Sequence, residues 1–134
     1  MNGNPQLKAE LQIVPDEIWI NVMSGAGGTR QPKDVRFTLV ITNGSRTDYS
    51  AENPDSGVFR FWVEEAGSEI WHSPEQVLQV ITPVSIPAGQ SKQESVVWHI
   101  DDARKLARGT LTAFGEFVPA RLRAHGNITV DEAQ

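Results

Sequence analysis

Apolar residues recur at every second position along most of the chain, and this period of two dominates its pattern. From Lys33 to Asn43, Val35, Phe37, Leu39 and Ile41 fall on one side. Arg36, Thr38 and Thr42 fall on the other, with Val40 as the apolar exception. Successive side chains of an extended chain point to opposite faces, so the segment predicts a strand with one face buried and one wet. Leu7, Leu11 and Ile13 share a face; Pro15 interrupts, and Ile18, Ile20 and Val22 resume in a new phase. Residues 58–63 are apolar on both sides, as a central strand would be. Val96, Trp98 and Ile100 alternate, as do Leu111, Ala113 and Phe117, then Leu122, Ala124, Ile128 and Val130. Residues 77–86 read as one or two short strands broken near Pro83.

Turn signals separate these runs: Asn43-Gly44, Asn53-Pro54-Asp55-Ser56-Gly57, Ala66-Gly67-Ser68, Pro87-Ala88-Gly89 and Gly126-Asn127. Roughly eight short strands at this spacing predict an all-β sandwich or barrel. One short helical turn is expected at residues 101–107, before Arg108, where Asp101 or Asp102 would cap it. The glycine-rich stretch at residues 23–33 predicts a mobile connection.

The 134 residues suit a single domain, 1–134, and 39% hydrophobic with 22% charged residues is ordinary for a packed protein. The absence of cysteine removes disulfides, thiolate metal sites and cysteine nucleophiles. It suits a reducing cytoplasm, the expected compartment, although an exported or lipid-anchored parent with its signal removed would read the same. A net charge of −5 argues against nucleic acid, which needs clustered cations. Arg104, Lys105, Arg108, Arg121 and Arg123 are close in sequence and read as a solvated face. No apolar run reaches the length of about 18 residues that a membrane span needs.

No catalytic, metal or cofactor pattern emerges. Gly25, Gly27 and Gly28 lack the third glycine of a dinucleotide loop, since Arg30 stands there, and no Gly-Lys-Ser/Thr follows. His72, His99 and His125 stand alone, without the two- to four-residue spacing of metal ligands. His72 and His99 each follow a tryptophan on a strand and should face away from the core. Ser73 follows His72, so the two point to opposite faces and cannot exchange a proton. Trp71 and Trp98 fit core positions. Trp19 and Trp62 fall opposite their strands' aliphatic neighbours, as a platform for a sugar or peptide would, or as packing under a loop.

The elements around Trp71 also resemble a known family. Val40-Ile41-Thr42-Asn43-Gly44-Ser45, Phe59-Arg60-Phe61-Trp62-Val63, Ile70-Trp71-His72-Ser73, Ile86-Pro87-Ala88-Gly89-Gln90-Ser91, Val96-Val97-Trp98 and Gly109-Thr110-Leu111-Thr112-Ala113 occur in the order and spacing of the BsuPI family. That family takes its name from an intracellular proteinase inhibitor of Bacillus. The match covers about residues 33–118, with Leu111 where the family typically has tyrosine. The resemblance marks Asn43, Trp71, Ser73, Pro87, Gly89, Trp98 and Gly109 as scaffold. It implies an immunoglobulin-like antiparallel sandwich and, as the namesake activity, inhibition of a subtilisin-like serine protease.

An inhibitor needs a stiff exposed loop. Residues 43–57 are the candidate, with Tyr49, Ser50, Asn53, Pro54 and Asp55 as the residues to meet a protease or other protein. Inhibition is one expectation. An interaction or structural module without inhibitory activity and a carbohydrate-binding module are the others.

Overall fold

The computed structural model describes residues 6–21, 30–74 and 77–133. Ten strands follow in order: β1 (Leu7–Val14), β2 (Glu17–Asn21), β3 (Lys33–Asn43), β4 (Tyr49–Asn53), β5 (Phe59–Glu65), β6 (Ser68–His72), β7 (Thr82–Ile86), β8 (Ser91–Ile100), β9 (Gly109–Phe117) and β10 (Leu122–Ala133). One layer orders β1-β3-β8, the facing layer orders β2-β10-β9-β5-β6, and β4 pairs with β7 as a two-stranded ribbon. This is an immunoglobulin-like all-β sandwich.

β3 has the bounds that its alternation predicts, and Val35, Phe37, Leu39 and Ile41 are fully buried between the layers. They meet Phe61, Val63, Leu111, Ala113, Phe117, Ile128 and Val130 of the opposite sheet in one core cluster. Phe37, Trp71 and Trp98 form an aromatic knot, with ring centroids 5.7 Å apart for Phe37–Trp71 and 5.8 Å for Trp71–Trp98. Such pairs contribute about 0.5–1.5 kcal/mol beyond area burial. β1 lies close over β10: a Cβ on Gly126 would come within 2.7 Å of Ile13 Cδ1.

Asn43, Gly89 and Ser73 tie neighbouring segments of the frame together. Asn43 is buried; its Nδ2 donates to the carbonyls of Thr47 and Ile86, and its Oδ1 accepts from the Ser45 amide and hydroxyl. Its backbone accepts from Gly89 N and donates to Gln90 O, so the end of β3 is laced to the turn at Pro87. Gly89 takes a φ of +74°, which glycine adopts without a Cβ penalty. The Ser73 amide donates to Phe61 O and its hydroxyl accepts from Phe61 N, continuing the ladder past the end of β6.

Several details differ from the sequence reading. There are ten described strands rather than eight. Pro15 lacks an amide to continue the β1 ladder, and β2 then pairs in parallel with β10, so the sandwich is not wholly antiparallel. Gly126 and Asn127 form no turn but run inside β10. The reversal is made by a 3-10 turn at Val118–Ala120 and by Arg121 in the left-handed region. Pro83 lies within β7 rather than breaking it, on a strand whose pairing is confined to β4. The helical turn is a 3-10 turn, Ala103–Lys105, capped by Asp102. Of the glycine-rich stretch, residues 23–29 lie outside the described residues. No helix of the described residues is long and apolar enough to cross a membrane.

Candidate functional site

The predicted contact residues are only partly brought to the surface. Tyr49 and Ser50 lie in β4, not in a loop, because residues 49–53 pair along their whole length with β7. Alternation turns Tyr49 inward, where its ring sits 5.9 Å from Phe117 and burial pushes its phenol up. Asn53 is buried and donates to the Asp55 carbonyl and carboxylate, and Asp55 Oδ1 accepts from Gly57 N. That pinned turn leaves Pro54 exposed at its tip. Asp55 borders a cavity.

The cavity is a cleft of about 210 Å³ beside β5. There β6 ends at His72 and the chain runs on past β5, with Ser73 bonded to Phe61 and Leu78 to Ser56; Phe59 and Arg60 pair with no strand on that side among the described residues. Phe59, Arg60, Phe61 and Trp62 form one wall, and His72, Ser73 and Pro74 another. Val77 and Gly57 close the far end. Residues 77–81 form a strap held to the turn by two bonds, Ser56 N to Leu78 O at 3.0 Å and Leu78 N to Ser56 Oγ at 2.8 Å. The strap exposes Leu78 (67%), Val80 (58%) and Ile81 (64%).

The outer face of the five-stranded sheet continues from the cleft in ordered cross-strand rows. Arg60 on β5, Glu116 on β9 and Arg123 on β10 stand opposite one another in one row. His72, Trp62, Phe114 and His125 make the next, across β6, β5, β9 and β10. Glu64, Thr112 and Asn127 make a third. Trp62 stacks on Phe114 with centroids 5.2 Å apart and planes 10° apart, and its Nε1 donates to Glu64 at 3.0 Å. The guanidiniums of Arg60 and Arg123 lie 5.7 and 5.3 Å from the Trp62 ring centroid. Trp62 therefore faces outward as expected but carries arginines on its ring, an arrangement unlike a bare sugar-stacking platform. Trp19 is outward too, 46% exposed, with Nε1 donating to Glu17.

The expected outward histidines are found: His72 and His99 are exposed, His99 bonding Asp34 across the β3–β8 pair at 2.6 Å. No group of three metal-ligating side chains exists among the described residues. The basic segment is paired in part: Arg104 with Asp102 at 2.6 Å, Arg108 with Glu132 and Arg123 with Glu116. The Arg104 hydrogen bonds hold the Asp102 carboxyl well below the usual carboxylate range; burial opposes them, and the Gln31 and Arg104 amides assist.

Sequence reasoning did not identify Arg60, Phe114, Glu116, Arg123 or His125 as parts of one surface. Their outward phase is visible in each strand, but register between strands distant in sequence is not.

No protein-family model matches the sequence, and no curated protein matches it. Among solved structures, a β-glucosidase from Erythrobacter marinus is similar with a TM-score of 0.51 and 9% identity. The match covers 94% of this chain and 15% of the glucosidase. Spo0M, a sporulation control protein of Bacillus subtilis, is similar with a TM-score of 0.50 and 11% identity, over 96% of this chain and 50% of its own. This chain thus spans a minor part of one neighbour and half of the other. At these identities the likeness is one of fold.

Proposed function

We propose that the chain is a non-catalytic protein-binding module that takes an extended segment of its partner into the cleft beside β5. The observation that carries the reading is the cleft of about 210 Å³ beside that strand, rimmed by the apolar strap of residues 77–81. A pocket lined by apolar and polar side chains offers the side-chain selectivity by which extended peptides are recognised. The resemblance to the BsuPI family agrees with this reading, since an inhibitor is itself a protein-binding module. It places no weight on Tyr49, whose ring is turned into the core.

Display of random peptides on phage, selected against the intact chain, tests the reading. Enrichment of peptides carrying a large apolar side chain is expected, and it should disappear for Val77→Trp, which fills the cleft from its rim. Unchanged thermal unfolding of the variant would show that the fold is kept. No enrichment over background, or equal enrichment by the variant, would overturn the proposal.

A further inference from the structure

β8 is an outer strand of the three-stranded layer, and among the described residues it is paired on one side only. Its ladder with β3 runs without a register shift from the pair Lys33 and Ile100 to the pair Thr42 and Ser91. The Thr38–Ser95 and Thr42–Ser91 hydroxyl bonds, 2.8 and 2.9 Å, tie the first half of the strand to β3. Residues 91–95 are all exposed. Lys92 and Glu94 fall in the phase that buries Trp98 and Ile100 further along, so the facing layer does not reach over this half of β8. A long, regular edge without a bulge or proline is a template for another strand.

The ladder fixes which backbone groups are free. Asn43 extends the β3–β8 register by one pair, and its amide donates to Gln90 O. Alternate residues of an antiparallel pair turn their amides and carbonyls toward the partner strand. Gln90, Lys92 and Glu94 therefore face β3, whereas Ser91, Gln93 and Ser95 offer N–H and C=O to the open side. Another antiparallel strand can meet those groups in only a few registers, and charge chooses among them. With two copies of the chain related by a two-fold axis at Gln93, Lys92 of each copy stands opposite Glu94 of the other. An axis at Lys92 or at Glu94 would instead set like charges face to face. Both opposite-charge pairs fall at non-hydrogen-bonded positions, where side chains across a ladder come closest. Among the described residues, neither Lys92 nor Glu94 makes an ion pair within the chain. Inward-phase charges of one sign would guard the edge against pairing. Opposite signs two residues apart make it self-complementary.

From this complementarity we propose that two copies of the chain pair antiparallel along residues 91–95 of β8, joining their three-stranded layers into one six-stranded sheet. The pairing uses up the free edge of β8 in both copies, so it closes at a dimer. A seam this short is a small contact, of the kind that associates transiently. The inference goes beyond the protein-binding reading: the cleft beside β5 belongs to the other layer, so the dimer would carry it twice.

Sedimentation velocity of the full chain, run from micromolar to millimolar concentration, tests the proposal. The natural chain should pass from monomer to dimer and no further. Lys92→Glu and Glu94→Lys, each at an exposed position, should keep the unfolding midpoint and weaken self-association at least tenfold, because each puts two like-charge pairs in the seam. An equimolar mixture of the two variants should dimerise at least as tightly as the natural chain, since every charge in the seam then faces its opposite. Gln93→Pro, which removes an amide facing the open side, should also be monomeric. A natural chain that stays monomeric at millimolar concentration would overturn the proposal and leave the edge to a strand of another protein. A dimer that both charge variants leave intact would overturn it as well, and so would a mixture that associates no better than either variant alone. Assembly beyond the dimer would place the contact elsewhere and overturn the closed seam.

Discussion

At the end of β3, the carboxamide of Asn43 serves the Thr47 and Ile86 carbonyls and the Ser45 amide and hydroxyl from a fully buried position. A buried polar group stripped of its partner costs about 1–3 kcal/mol, because water cannot replace the lost bond. Asn43→Ala strands the Ile86 carbonyl inside the core and opens a small void. It should lower unfolding free energy by about 2–4 kcal/mol, read from the urea midpoint at unchanged slope. The sequence marks Asn43 as a strand end, and β3 does end there. It does not reveal the four bonds, since Ile86 is far away along the chain and only the folded turn at Pro87 brings its carbonyl within reach. Trp62 is similar: its outward phase is legible from Phe61 and Val63, whereas the two arginines on its ring come from registers no local pattern encodes.

The elements were legible in proportion to their alternation. β3, β8 and β9 bury regular aliphatic or aromatic faces and can be read directly. β4 is missed because Tyr-Ser-Ala-Glu-Asn carries short and polar side chains; it is a strand through its pairing with β7, not through propensity. The inverse error occurs at Gly126, where a glycine read as a turn is instead the room β10 leaves for Ile13. The 3-10 turn at Ala103–Lys105 is legible because a capping aspartate announces it. Asp102 also ties that turn to the Gln31 amide and to Arg104. Its carboxyl is held below the ordinary value of 3.8, so the folded chain binds this proton less readily than the unfolded chain. The associated stability is complete above the ordinary carboxylate range and is lost as pH falls below it. Acid unfolding followed by circular dichroism should therefore be steeper below about pH 4 for the natural chain than for Asp102→Asn, which has no carboxyl to protonate there. Identical slopes for the two would remove Asp102 from the acid response.

At the scale of the molecule, sandwich packing buries most large apolar side chains among the described residues, and those left exposed are unevenly distributed. Three of the most exposed, Leu78, Val80 and Ile81, share the strap beside the cleft. Periodicity assigned this segment to a strand, in which half of these side chains would have been buried. Instead its backbone bonds to Ser56 and its side chains stay in water. Burying apolar surface stabilises a protein by roughly 25 cal/mol per Å², so side chains already in solvent contribute little to folding and much to any contact that covers them. Replacing Leu78 and Ile81 together by serine should then separate the two effects. The unfolding midpoint should move by no more than about 0.5 kcal/mol per site, as for surface positions generally. Affinity for peptides selected on the natural chain should fall at least tenfold, measured by fluorescence anisotropy with the same labelled peptides. A large loss of stability would mean that the strap belongs to the core; an unchanged affinity would remove the strap from the binding surface.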